Sequence, residues 1–307
     1  MPENKFFKEI ASLPTEQKNE MTRDIDLATT EEILTMINDE DAKVAAAVRE
    51  EIPNITLAVD AITDAFNKGG HLFYFGAGTS GRLGIVDASE CPPTYGTAPE
   101  MVQGVIAGGR EAVFRAQEGA EDLPENGAKE IIVRNIMPPD IVCGIAASGR
   151  TPFVKGALDE ANRRSCTTII ISTSGRNTLL ELGIKADIYI CPIVGPEVIA
   201  GSTRMKSGTA QKLVLNMLTT AAMVRLGKTY ENVMVDLELT NAKLQERAKR
   251  ILMEIAGVQY DEAAEYLDRS GGHVKTALVM LIAGVDVTEA KQMLERSNGF
   301  IRKAIEM

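Results

Sequence analysis

Residues 75–96 read Phe-Gly-Ala-Gly-Thr-Ser-Gly-Arg-Leu-Gly-Ile-Val-Asp-Ala-Ser-Glu-Cys-Pro-Pro-Thr-Tyr-Gly. An apolar run at 72–75 precedes them and has the character of a buried strand. The glycine- and hydroxyl-rich turn that follows opens into a helical pattern. Strand, turn and helix in that order present backbone N–H groups and the positive helix end to an anion. Further along stands Glu90, followed at once by Cys91-Pro92-Pro93. Proline cannot donate the helical hydrogen bond, so the pair is expected to end the helix and leave Glu90 at a corner. A phosphate cradle followed by a positioned carboxylate points to an enzyme that holds a phosphorylated small molecule and moves protons on it.

Outward from that stretch, four more short apolar runs at 102–107, 141–146, 168–171 and 188–191 alternate with helical patterns. Strands alternating with helices, each too apolar to have a solvated face, predict an α/β fold with a parallel sheet covered by helices on both sides. Before the sheet, Ile33, Leu34, Ile37, Val44, Ala47, Val48, Ile55, Val59, Ile62 and Phe66 recur at helical spacing. After it, residues 201–227 predict a long helix, apolar on most faces and therefore buried in the core or in a subunit interface. The C-terminal stretch holds a tandem repeat with a period of 27 residues: Ala256 to Met280 aligns with Ala283 to Met307 without gaps. Each copy reads as helix, glycine-containing turn, helix, and tandem helical pairs pack on one another. The expected division is an N-terminal helical segment (1–52), an α/β domain (53–239) and an all-helical module (240–307).

Composition narrows the function. A formal net charge of −10 over 307 residues argues against nucleic acid, whose binding needs a basic face. Two histidines and four widely spaced cysteines (Cys91, Cys143, Cys166, Cys191) make a metal site improbable and suggest buried, reduced thiols in a cytoplasmic protein. No apolar run reaches the length of a membrane span.

Gly76, Gly78 and Gly81 satisfy G-x-G-x-x-G, a pattern shared with dinucleotide folds. Thr79 and Ser80 inside it, and Glu100 where a ribose-binding acid would be sought, turn the reading away from a dinucleotide. Similar loops recur: Ser148-Gly149-Arg150-Thr151-Pro152, Ser174-Gly175-Arg176 and Ser202-Thr203-Arg204. Helix capping accounts for any one of them. Together, at the carboxyl ends of parallel strands, they converge on one crevice suited to a sugar phosphate. Carboxylates supply the chemistry there. Glu90 is one candidate, Glu197 another. Glu118, Glu121 and Asp122 would share one face of a helical turn, and spacing does not choose between Glu118 and Glu121. With so few histidines, acid and base work falls to glutamates.

These residues closely resemble the N-acetylmuramic acid 6-phosphate etherases, within the sugar isomerase domain superfamily. The run 87–94 and the stretches 76–96, 106–109, 118–122, 144–152 and 201–216 carry the likeness, which extends along the tail. The glucokinase regulatory protein, a non-catalytic sugar-phosphate sensor, is also similar. One departure is Ser174-Gly175-Arg176-Asn177, where an Asn-Pro type turn is expected. The resemblance implies a lyase that cleaves the D-lactyl ether of N-acetylmuramic acid 6-phosphate by elimination and then hydration, in cell-wall amino sugar recycling. It implies Glu90 as the acid and Glu121 as the base at C2. It gives the phosphate to Thr79, Ser80, Ser148 and Arg204, with Gly81, Gly149, Glu118, Glu197, Ser202 and Thr203 around the substrate. It implies no cofactor and no metal, and a homodimer. An aldose–ketose phosphate isomerase would use the same fold and a carboxylate base, and ether cleavage distinguishes the two.

Overall fold

The computed structural model describes residues 13–237, 239 and 242–306. The chain divides into two compact units, one of residues up to Ala88 with Glu100–Thr219, the other of Ser89–Pro99 with the chain from Thr220 onward.

The first unit is built on five parallel strands: β1 (Leu72–Gly76), β2 (Val102–Ile106), β3 (Ile141–Ile145), β4 (Thr167–Ile171) and β5 (Ile188–Ile190). Their order is β2-β1-β3-β4-β5. Each matches an apolar run of the sequence to within one residue at either end. Every residue of β1 and β3 is buried, as a sheet covered on both faces requires. On one face Phe73, Phe75, Val142 and Ile170 share a core with residues of the helices Pro124–Val133 and Pro152–Arg163, Phe153 among them. Those helices cross at glycines. A Cβ on Gly127 would lie 1.9 Å from the Phe153 carbonyl oxygen, and one on Gly156 1.9 Å from that of Pro124.

Strand order reverses at β1: β2 lies on one side of it and β3 on the other. In open parallel sheets that reversal leaves a crevice at the carboxyl ends of the two central strands.

The N-terminal helices Thr30–Asp41, Val44–Glu50 and Ile52–Asn67 belong to this unit. A capping box starts the first, with Thr29 and Glu32 bonding each other's backbone N–H. A buried ion pair joins this segment to the long helix Lys206–Arg225: Lys206 Nζ lies 2.5 Å from Glu40 Oε2, and both side chains are at most 5% exposed. The long helix starts at Lys206 rather than 201. It buries Ala210, Val214, Leu215 and Leu218 within the first unit.

The helix after β1, Gly78–Tyr95, departs from the sequence reading. Pro92 and Pro93 lie inside it instead of ending it. Their fixed φ suits a helix, and the missing donors remove only two ladder bonds, so one more turn forms. Gly96 ends the helix, with φ 58° and its N–H donating to the Pro92 carbonyl at 2.9 Å in the manner of a left-handed C-terminal glycine.

The second unit contains the end of that helix, a short hairpin (Thr229–Tyr230 with Val233–Met234) and five helices: Ala242–Ala256, Tyr260–Arg269, Val274–Ala283, Val287–Arg296 and Ile301–Ile305. The repeat is visible directly, since Tyr260–Arg269 with Val274–Ala283 recurs 27 residues on as Val287–Arg296 with Ile301–Ile305. Ala263, Leu267, Ala277, Leu278, Ala290 and Ile301 form one buried core here. No helix among the described residues is long and apolar enough to cross a membrane.

Candidate active site

A crevice of about 540 Å³ opens at the carboxyl ends of β1 and β3, within the size range of small-ligand sites. Three wall segments come from the loops read in the sequence: Ala77–Ser80 after β1, Ala147–Pro152 after β3, and Gly201 with Thr203 before the long helix. Glu121 and Asp122 form a further wall.

The turn after β1 is compact because glycine permits it. A Cβ on Gly81 would sit 2.7 Å from the Gly76 carbonyl oxygen and 2.6 Å from Ile106. Gly78 takes φ 53°, a conformation side chains resist. The chain thus passes straight from β1 into the helix, whose first residues Gly78, Thr79 and Ser80 line the crevice and whose first N–H groups have no intrahelical acceptor. A second helix begins at the same crevice, with Thr151 as N-cap and Pro152 at its first position. Thr151 makes no side-chain capping bond. The lining carries one cation, Arg150, against the carboxylates of Glu16, Glu121 and Asp122. Anion recognition here rests on helix ends and hydroxyls more than on formal charge.

Glu118 and Glu121 lie on a turn rather than on a helix. Asp122 N–H donates to the Gly119 carbonyl at 3.3 Å, and Gly119 has φ 72°. The turn is anchored by its backbone: Phe153 N–H donates to the Glu121 carbonyl at 2.9 Å. Glu121 faces both the crevice and an adjoining cleft of about 310 Å³, which Glu118 also lines. Partial desolvation raises the Glu121 pKa above the usual carboxylate value, and the neighbouring Asp122 charge adds to the rise. A raised pKa makes the Glu121 carboxylate a better proton acceptor than an ordinary glutamate.

The remaining sequence candidates separate. Thr79, Ser80, Ser148 and Thr203 line the crevice. Ser80 is buried, and its hydroxyl donates to Gln211 Oε1 at 2.9 Å. Ser148 Oγ accepts from Arg150 N–H at 3.3 Å. Gly81 and Gly149 act through the backbone; Gly149 has φ 74° and donates to the Ala146 carbonyl. Ser202 and Arg204 lie in the turn before the long helix and are not among the crevice's lining residues. Glu197 is not among the crevice's lining residues. It is fully buried, and its two oxygens accept from the Lys206 and Ser207 N–H groups at 2.9 Å each. It caps the long helix. Glu90 is solvent-exposed, on the part of helix Gly78–Tyr95 that belongs to the second unit. Gly175 and Arg176 line a different cleft, where Arg176 stacks 4.8 Å above the Tyr189 ring.

Sequence reading missed the N-terminal segment as a wall. Leu13, Thr15 and Glu16 line the crevice. They are held there by the Gly201 N–H bond to the Thr15 carbonyl (2.9 Å), Asn19 to the Pro196 carbonyl (3.2 Å) and Thr22 to the Val198 carbonyl (2.8 Å). A polar lead-in gives no periodic signal. Asp87 was missed too: it is buried and accepts from Tyr74, Asn216 and Thr219. Burial pushes its pKa up to about 6 despite those donors.

A family model described as the glucokinase regulatory protein N-terminal SIS domain matches residues 54–162. The chain is 60% identical over 281 residues to an N-acetylmuramic acid 6-phosphate etherase of Salinibacter ruber, covering 91% of this chain and 89% of that one. It belongs to the N-acetylmuramic acid 6-phosphate etherase family. The etherase of Clostridium acetobutylicum is 55% identical over 270 residues, 88% of each chain. Among solved structures, a phosphoheptose isomerase from Francisella tularensis is 15% identical with a TM-score of 0.47, covering 64% of this chain and all of that one.

Proposed function

We propose that this chain is a carbon–oxygen lyase that cleaves the D-lactyl ether of N-acetylmuramic acid 6-phosphate. The products are N-acetylglucosamine 6-phosphate and D-lactate. The observation that carries the reading is the crevice at the β1/β3 reversal, which puts two helix N-termini and a hydroxyl lining beside Glu121 in a chain of the etherase family. The helix ends and Thr79, Ser80 and Ser148 hold the phosphate. In the open-chain sugar the aldehyde acidifies the C2 proton. Glu121 takes that proton, the C3–O bond breaks, and an acid protonates the departing lactate oxygen, a role that the family resemblance, not the crevice lining, gives to Glu90. Water then adds at C3, giving a proton back to Glu90, while Glu121 returns one to C2. One group serves both halves of the Glu90 task because donating its proton leaves the base that hydration needs. No electron sink beyond the aldehyde is required.

The working form is a homodimer in the cytoplasm. Met217 and Val224, 36% and 44% exposed on the long helix, leave it apolar surface to share with a second copy. Four buried cysteines, none of them in a disulfide, suit a reducing compartment. The test is incubation with N-acetylmuramic acid 6-phosphate. Release of D-lactate with no interconversion of hexose 6-phosphates supports the reading. Isomerisation without lactate would replace it with an aldose–ketose isomerase.

A further inference from the structure

Beneath the crevice, Gln211 presents an unresolved pairing. Its residue is 1% exposed, on the second turn of the long helix. Its Oε1 accepts the Ser80 hydroxyl at 2.9 Å, while its Nε2 is buried with no hydrogen-bond partner among the described residues. A buried amide donor without a partner is costly. In this arrangement Ser80 also spends its only proton on Gln211 and turns its lone pairs toward the crevice, the wrong polarity for an anion. Half a turn about the terminal amide torsion gives Nε2 a partner and reverses the polarity at Ser80, while Oε1 takes the place that Nε2 leaves. Nε2 then donates to Ser80 Oγ, and the Ser80 proton is free for a phosphoryl oxygen.

We infer that Gln211 is a positioning residue for phosphate: arrival of the anion turns its amide, so that Ser80 changes from donor to Gln211 into donor to the substrate. The inference rests on the crevice being the phosphate site. Nothing in it requires Gln211 to touch substrate.

The test is Gln211→Glu, assayed with N-acetylmuramic acid 6-phosphate beside the wild type. An ionised carboxylate only accepts, so it keeps the Ser80 proton. KM at pH 8 should rise about tenfold or more, the scale of a hydrogen bond to a charged group, and rise far more than kcat falls. A buried carboxyl protonates at a higher pH than usual, and once protonated it can donate to Ser80 again. The ratio of variant to wild-type KM should therefore shrink as pH falls toward 6. A ratio flat with pH, or a loss confined to kcat, overturns the inference. In the wild type the Gln211 side-chain 1H–15N signals, assigned by their absence in Gln211→Met, should shift when N-acetylglucosamine 6-phosphate is added. Signals that stay in place at saturation overturn it as well, whether or not Gln211→Glu folds. Ser80→Ala separates the layers: unchanged KM there sinks the phosphate reading of the crevice, whereas raised KM with a flat Gln211→Glu ratio sinks only the role of Gln211.

Discussion

Replacing Glu40 with Gln is expected to destabilise the protein by about 3–5 kcal/mol, the range for a buried charge stripped of its counter-ion. The magnitude follows from an asymmetry in the pair. Lys206 is 1% exposed, and among the described residues Glu40 Oε2 is the one acceptor for its ammonium. Glu40, in contrast, also holds the half-exposed Lys43, at 2.5 Å. Lys206→Met leaves Glu40 paired with Lys43, and its expected cost is smaller, about 1–3 kcal/mol. Burial acts to raise the Glu40 pKa, but Lys206, Lys43 and Asn19 outweigh it and hold the carboxyl down at about 2, against an ordinary 4.5. That depression corresponds to roughly 3 kcal/mol at neutral pH. Because the folded-state value is depressed, this stabilisation is fully present above about pH 4.5 and drains away as pH falls toward 2. Urea unfolding followed by circular dichroism at pH 7 and pH 3 measures both effects. The Glu40→Gln penalty should exceed the Lys206→Met penalty at pH 7 and should shrink at pH 3. A Lys206→Met penalty equal to or larger than that of Glu40→Gln, or a penalty independent of pH, would refute the reasoning.

Asp122→Asn removes one of the two causes that raise the Glu121 pKa, so the acid limb of the kcat/KM profile should move to lower pH. An unmoved limb would detach Asp122 from the base. Asp87 is a raised acid, pushed by burial to about 6, so its effect has the opposite sign to that of Glu40. It lowers stability as pH rises from about 4 to 6, on the order of 3 kcal/mol in all, and Asp87→Asn should flatten thermal stability across that window. Burial holds the Cys166 and Cys191 thiols up at about 11 and 12 and raises Cys143 further still. A thiol reagent at pH 8 should leave all three unmodified in the folded protein and reach them in urea.

The sheet was legible because each strand is a short run of Ile, Val and Phe between turns, and a covered parallel strand needs no alternation to announce it. The crevice followed from the same runs, since loops at strand ends must meet where the order reverses. The repeat was legible because identical spacing recurs in Glu262 and Glu289 or Leu267 and Leu294. Pro92 and Pro93 do not mark the helix end because proline weakens a helix without forbidding it, and the turn beyond them keeps enough bonds to continue to Gly96. Glu197 looked like a site carboxylate because it precedes a hydroxyl-rich loop. Its carboxylate closes the N-terminus of a helix nine residues further on, a contact that depends on a fold-back periodicity does not encode. The Glu40–Lys206 and Ser80–Gln211 pairs span 166 and 131 residues, and no local pattern marks such partners.

The division of labour between Glu121 and Glu90 is tested most directly by exchange of the substrate's C2 hydrogen with deuterated water, followed in the wild type, Glu121→Gln and Glu90→Gln. If Glu121 is the base, exchange should fall by roughly a hundredfold or more in Glu121→Gln, the scale of general-base catalysis. Glu90→Gln should retain exchange while losing lactate release, because its base is still in place. Exchange surviving in Glu121→Gln would contradict the assignment and redirect it to Glu118, and wild-type lactate release by Glu90→Gln would contradict the elimination mechanism itself.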